Sequence, residues 1–156
     1  MSLNPKEIQR ICGVAEEVLT ECTGARIRTI SRVVTRIFDE HLRPLNIKFT
    51  QVNMLIFITE AGSISPHQIA TELGYEKSTL TRNLRVLKER GFVDSQRGDS
   101  GNRLLFHTTT AGFELVQQAE PAWRQAQAEV TSILGQDVTD AIRLAFDRIQ
   151  EYEKTR

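Results

Sequence analysis

The sequence predicts a mainly helical protein with one small β-hairpin, an α+β fold, on three observations. The stretch SPHQIATELGYEKSTLTRNLRVLKERGFV, residues 65–93, reads as helix, tight turn, helix and the start of a strand. Directly after it, the polar, glycine-rich run RGDSGN at 97–102 separates two apolar runs, as the tip of a hairpin does. Long stretches toward both ends place apolar residues at helical spacing, over more surface than a lobe of about 60 residues could cover.

Taken in order, the first element is a helix over 5–20. Asn4 is its cap, Pro5 its first residue and Glu7 its third, and Ile8, Ile11, Ala15, Val18 and Leu19 recur on one face. Thr23-Gly24 interrupts it. A second amphipathic helix runs from Ala25 to Leu42, with Ile27, Ile30, Val34, Ile37 and Phe38 apolar, and Pro44 closes it. Its other face carries Arg28, Arg32 and Arg36 leading to Glu40, which reads as a solvated stripe with Arg36 and Glu40 paired, ahead of an anion contact. Thr50 is the expected cap of a scaffold helix over 51–60, whose Val52, Leu55, Ile56 and Ile58 require burial on nearly all sides. Ser63-Ile64 can add a minimal strand beside the hairpin.

Ser65-Pro66 opens the next helix, Ile69, Ala70 and Leu73 form its apolar face, and Gly74 ends it. In the following helix Leu80, Leu84 and Leu87 share one stripe, and a turn of about 100° per residue puts Ser78, Arg82, Arg85 and Glu89 opposite. An amphipathic helix is often only a solvated surface helix. Here it leads straight into a hairpin with basic residues at its tip, and the combination is a winged helix-turn-helix: the second helix suits the major groove of DNA, the hairpin the phosphate backbone or the minor groove. After the hairpin comes a helix of over twenty residues bearing Phe113, Leu115, Val116, Ala119, Trp123, Ala126, Val130, Ile133 and Leu134, with Pro121 inside it and a kink expected near Ala119. Gly135 stops it, Asp137 or Thr139 caps the last helix, and Ile142, Ala145, Phe146, Ile149 and Tyr152 are that helix's apolar face. Terminal helices with such faces need a partner, most simply a second copy of the chain, and Ile8, Ile11, Val18, Val138, Ile142, Phe146 and Ile149 are the expected dimerisation residues. The expected organisation is therefore one domain: a helical dimerisation region over 1–48 and 111–156, and a DNA-binding lobe over 49–110.

Composition sets bounds on this reading. At 156 residues the chain fits one domain and can bury a core. No stretch approaches membrane-spanning length and no leader pattern is visible, so a cytoplasmic protein with no membrane partner is expected. Net charge is zero, which argues against a nucleic-acid partner until its distribution is followed. Residues 76–107 hold seven Lys and Arg against four acids, residues 1–75 hold eight of each, and residues 108–156 hold five against eight. The positive surplus sits on the reader and wing. It is modest, so binding should be salt-sensitive and should also depend on shape and base contacts.

The segments RVVTRIFDEHLRPLNIKFTQVNML and KSTLTRNLRVLKERGFV, with the hairpin and TTTAG after them, resemble the MarR family of bacterial transcriptional regulators. Motifs carry the resemblance over roughly residues 25–115, and helix layout carries the rest. It implies a homodimer with interleaved terminal helices, two winged lobes on a pseudo-palindromic double-stranded DNA operator, a repressor more often than an activator, and release by a small-molecule or oxidant effector. Ser78, Thr79, Thr81, Arg82 and Arg85 match the family's recognition helix, beside Lys77. Arg103 matches the wing arginine that enters the minor groove. One departure stands out: the family places an aspartate two residues before that arginine, where this chain has Gly101, with Asp99 four before. Anchoring on Thr109 and Gly112 instead puts Asn102 at the arginine position, so the wing contact belongs to Arg103 or Arg97. Thr108 also replaces the leucine that usually precedes the post-wing threonine.

Cys12 and Cys22 form no CxxC pair and are expected to be free thiols. Some branches of the family sense oxidants through a cysteine of the first helices, so either is a candidate effector or redox site, given a thiol activated by a neighbour such as Arg26. The plainer reading of Cys12, beside Ile11 on an apolar face, is a small buried hydrophobe. Glu40-His41 with Cys22 resembles half of the zinc site of another branch, but residues 111–130 lack the histidine pair of the other half, and no metal is expected. His67 and His107 fall in the reader and wing, where a phosphate contact or plain exposure is expected instead of ligation. No nucleophile elbow, phosphate-cradling glycine loop or HExxH occurs, so neither an enzyme nor a cofactor is expected. The alternative is a winged-helix module that contacts protein through its reader face and does not bind DNA.

Overall fold

The structure, a computed structural model, describes residues 4–98 and 103–155. Asp99, Ser100, Gly101 and Asn102 of the hairpin tip, and the comparison of aspartate and arginine positions made on them, lie outside the described residues. The chain divides into two compact units, residues 1–36 and 37–156. No described helix is long and apolar enough to cross a membrane.

In the first unit, α1 (Pro5–Glu21) starts as its sequence dictates. The Asn4 side chain accepts from the Glu7 N–H at 3.0 Å and the Glu7 carboxylate accepts from the Asn4 N–H at 2.9 Å, so two otherwise unpaired donors are satisfied reciprocally. The break comes at Cys22, whose extended backbone separates α1 from α2 (Thr23–Leu42). Thr23 and Gly24 belong to the first turn of α2, where N–H groups lack intrahelical acceptors in any sequence. None of the residues described in this unit is buried. Ile8, Ile11 and Val18 each expose about half of their surface, and Cys12 is exposed beside them, against the expectation of a buried thiol, because no described residue of this unit buries that helix face.

The second unit holds the core. The last turns of α2 contribute Ile37, Phe38 and Leu42, and a tight turn at Arg43–Leu45 leads to Asn46 in the left-handed region, at φ 52°. Helix α3 (Phe49–Ala61) begins two residues earlier than expected, and Thr50 does not cap it. Asp39 of α2 does: its Oδ1 accepts from the Phe49 N–H at 2.7 Å, while Oδ2 meets Lys48 Nζ at 3.2 Å. A carboxylate there satisfies a free donor and complements the helix dipole. Val52, Met54, Leu55 and Ile58 are buried at the centre of the unit, whereas Ile56, expected inside, is 41% exposed.

Helices α4 (Pro66–Leu73) and α5 (Lys77–Glu89) pack on α3, followed by the antiparallel hairpin β1 (Val93–Arg97) and β2 (Leu104–Thr108), paired from Val93 with Thr108 to Arg97 with Leu104. The short strand expected at Ser63-Ile64 is present as one bridge, Ile64 exchanging backbone hydrogen bonds of 2.8 and 3.0 Å with Phe106. Helix α6 (Thr110–Leu134) runs unbroken through Pro121, and α7 (Gln136–Lys154) follows Gly135. Neither Asp137 nor Thr139 caps α7. Gly135 holds the cap position, and the Thr139 hydroxyl donates back to the Gly135 carbonyl at 2.9 Å.

The junction between wing and α6 explains the TTTAG motif. Thr109 caps α6, accepting from the Gly112 N–H at 3.1 Å and donating to the Gly91 carbonyl at 2.6 Å. Gly112 is buried so tightly that a β-carbon there would lie 2.1 Å from the Phe92 carbonyl oxygen. Thr108, where the family usually has leucine, shares a hydrogen bond of 2.8 Å with the hydroxyl of Thr59 on α3.

Candidate nucleic-acid interface

Two helices and a turn of three residues build the reader. Ser65 caps α4 and Gln68 answers it, its Oε1 accepting from the Ser65 hydroxyl at 2.7 Å. Gly74 ends α4 at φ 61°, a left-handed conformation that glycine adopts without strain. The Tyr75 N–H then bonds the Ala70 carbonyl at 3.0 Å, and α5 starts at Lys77.

On α5 the leucines behave as their spacing dictates. Leu80, Leu84 and Leu87 are buried in the core, and Lys77, Ser78, Thr79, Thr81, Arg82 and Arg85 are all exposed on the outer face. Lys77, Ser78, Thr81, Arg82 and Arg85 line one open depression together with Glu76, so hydroxyl donors and cations converge near the start of the helix. Arg85 lies 3.7 Å from Glu89, one turn on, in an exposed and therefore weak pair. Asn83 escaped the sequence reading: it is 8% exposed and sits between buried leucines.

The hairpin brings its two candidate arginines to the same end. Arg97 is the last residue of β1 and Arg103 precedes β2, and the Gly98 N–H donates to the Arg103 carbonyl at 2.9 Å. Both side chains are exposed.

Two of the seven cations counted on this region have other work. The Arg90 guanidinium donates from Nη1 to the Asn46 carbonyl at 2.6 Å and from Nη2 to that of Leu45 at 3.4 Å, with its carbon 4.7 Å from the Phe92 ring centre. Lys88 Nζ lies 3.4 Å from Asp94 Oδ1 and donates to the Ser95 hydroxyl. The Ser95 N–H, donating at 2.7 Å, holds the Asp94 carboxyl below its ordinary range, and Lys88 and His107 add to the effect. These partners lie far away in sequence or across a turn, so only the charge of Arg90 and Lys88 was legible beforehand.

Among the candidate effector residues, Cys22 is half-buried and Cys12 exposed, and the Arg26 guanidinium lies 4.0 Å from Glu21. His41 Nε2 meets Glu129 Oε2 on α6 at 2.7 Å. Among the described residues, no three His, Cys, Asp or Glu side chains cluster as metal ligands.

Comparison with known proteins bears on this geometry. Residues 45–103 match the sequence profile of the MarR family. The multiple antibiotic resistance protein MarR of Escherichia coli is 29% identical over 96 residues, 61% of this chain and 67% of that protein. An uncharacterised HTH-type transcriptional regulator of Mycobacterium leprae is 27% identical over 106 residues, 67% of this chain and 74% of its own length. The crystal structure of a mutant E. coli MarR complexed with operator DNA superposes with a TM-score of 0.76 at 23% identity, covering 85% of this chain and 96% of that one, a likeness of fold. The M. leprae relative is named as a transcriptional regulator, in agreement with the expectation that the chain is not an enzyme.

Proposed function

We propose that the chain, whose residues 45–103 match the MarR family, is a DNA-binding transcriptional regulator of that family and acts as a homodimeric repressor of a pseudo-palindromic operator, released by a small-molecule or oxidant effector. The observation that carries the reading is the outer face of α5. Ser78, Thr79, Thr81, Arg82 and Arg85, beside Lys77, are free of the core while the leucines behind them anchor the helix. Hydroxyls and forked guanidinium groups on one exposed helix face are the donors that read base edges in a major groove. Arg97 or Arg103 supplies the wing contact.

Apolar exposure supports the dimer. Ile8, Ile11 and Val18 on α1, and Val138, Ile142, Phe146 and Ile149 on α7, are each between 38% and 61% exposed, two apolar faces that water disfavours and a second copy would cover. In this reading residues 1–48 and 111–156 form the dimerisation region and 49–110 the reading lobe. Two recognition helices then lie about 34 Å apart, one turn of DNA. An effector favouring another lobe spacing releases the operator with a few kcal/mol of differential affinity. Cys22 and Cys12 are the residues through which an oxidant would act.

A fluorescence-anisotropy titration tests this, using DNA from upstream of the protein's own gene beside a scrambled fragment, at two salt concentrations. Much tighter binding of the native fragment, with both affinities falling as salt rises, is the expected result. Absence of binding to either fragment, with reductant present, would turn the reader face over to protein contacts.

A further inference from the structure

The link between α5 and β1 contains a small polar cluster that the reading of the operator does not use. Lys88, on the last turn of α5, reaches over the turn at residues 90–92 to Asp94 Oδ1 at 3.4 Å and to the Ser95 hydroxyl on β1. Asp94 Oδ1 in turn accepts the Ser95 N–H at 2.7 Å, and across the hairpin Asp94 stands opposite His107. The Asp94 carboxyl is held below its ordinary range, so it stays charged toward Lys88.

We propose that Lys88 is a positioning residue, which fixes the direction in which the wing leaves the recognition helix and so sets where Arg97 and Arg103 meet the DNA. The proposal rests on the DNA-reading function above. Both side chains of the pair are about half exposed, at 49% and 61%, so the pair adds little to stability. Its leverage is geometric. Arg97 lies three residues beyond Asp94, roughly 10 Å along the strand, so a swing of about 10° at the strand base moves the arginine by nearly 2 Å. A base or phosphate contact tolerates much less, about 0.5 Å. Arg90 anchors the start of the same turn to Asn46, and among the described residues the Lys88 link ties α5 to the strand itself.

The competing role for Lys88 is a direct phosphate contact, and the two roles give opposite results at Asp94. Residual dipolar couplings of the wing amides, referred to those of α5, are measured on the free full-length protein and on Lys88→Met and Asp94→Asn, with operator affinity and its salt dependence alongside. Positioning predicts that both variants alter the wing couplings while leaving those of α5 in place. Each also weakens operator binding about fivefold, the double variant binds no worse than either single one, and the salt slope is unchanged. A phosphate contact predicts unaltered wing couplings, a salt slope reduced by about one in Lys88→Met, and tighter binding in Asp94→Asn because an acid has left the interface. That result overturns the proposal, as do altered couplings with no loss of affinity. A wild-type protein that binds no DNA removes the regulator reading, and the couplings still decide whether Lys88 aims the wing.

Discussion

The Arg90 side chain donates to the backbone carbonyl of Asn46 at 2.6 Å, tying the end of α5 to the corner between α2 and α3 across 44 positions of sequence. Asn46 has a positive φ and closes the single 3-10 turn at Arg43–Leu45, its N–H bonding the Arg43 carbonyl. A charged donor on the Asn46 carbonyl, with the guanidinium also over Phe92, should be worth about 1–2 kcal/mol after discount for exposure. Arg90→Ala should therefore lower the urea midpoint by a corresponding amount. Its effect on the salt slope of DNA binding should be small, because this cation is already engaged within the protein.

Gly112→Ala should be more damaging than its size suggests. The added carbon would lie 2.1 Å from the Phe92 carbonyl and 2.7 Å from the Thr108 methyl, so either α6 or the wing has to shift. Overpacking of this kind costs about 3 kcal/mol. Equilibrium denaturation reads the loss, and faster hydrogen exchange at the β1–β2 amides would locate it.

Arg85→Ala should weaken specific binding by about 1–3 kcal/mol and leave folding within about 0.5 kcal/mol, since the side chain is exposed and its pair with Glu89 is an exposed one. Anisotropy titration and thermal unfolding of the same preparation separate the two effects. Arg97→Ala and Arg103→Ala, compared in one assay, assign the wing contact: the variant with the larger loss on an A·T-flanked operator is the groove arginine.

The wing base should loosen in acid. Asp94 is held below its ordinary range chiefly by the Ser95 N–H, then by Lys88, with His107 opposite. A depressed carboxylate contributes fully above the unfolded-state value, and the contribution disappears as pH falls through the folded-state value. Wing amides should therefore exchange faster at acid pH than the intrinsic pH dependence predicts, and Asp94→Asn should abolish that excess.

Phe146→Glu together with Ile142→Glu should shift the proposed dimer to monomer in light scattering, because both side chains are exposed on α7 and would meet a second copy as buried charge. Operator affinity should fall with it, as two linked half-sites become one.

What the sequence made legible follows from the range of the forces involved. The stripe of Leu80, Leu84 and Leu87, the Asn4 cap, Gly74 and the hairpin depend on neighbours within about one helical turn or one hairpin, and each appears where its pattern places it. The reader face follows, because exposure of Arg82 and Arg85 is the complement of burying the leucines. Contacts between distant segments were not legible. The cap of α3 comes from Asp39, ten residues before Phe49, where local propensity favoured Thr50. Thr108 departs from the family's leucine, and its hydrogen-bonded partner is Thr59, 49 residues earlier. Cys12 was expected to be buried because its neighbours are apolar, but an apolar face is covered only where something in the chain packs on it.

The capping of α3 by Asp39 also bears on how the reader could be transplanted. A fragment beginning at residue 49 would carry every residue proposed to face DNA, yet lack the carboxylate on the first turn of its central helix, the Phe38 ring 4.5 Å from Phe49, and Ile37 and Leu42. At the other end Leu115 and Ala119 of α6 belong to the same core. The smallest portable reader for a chimeric regulator therefore extends from about residue 37 to beyond 119, and a graft cut at the edges of the helix-turn-helix and wing would deliver the contact residues on a lobe unable to hold them in place.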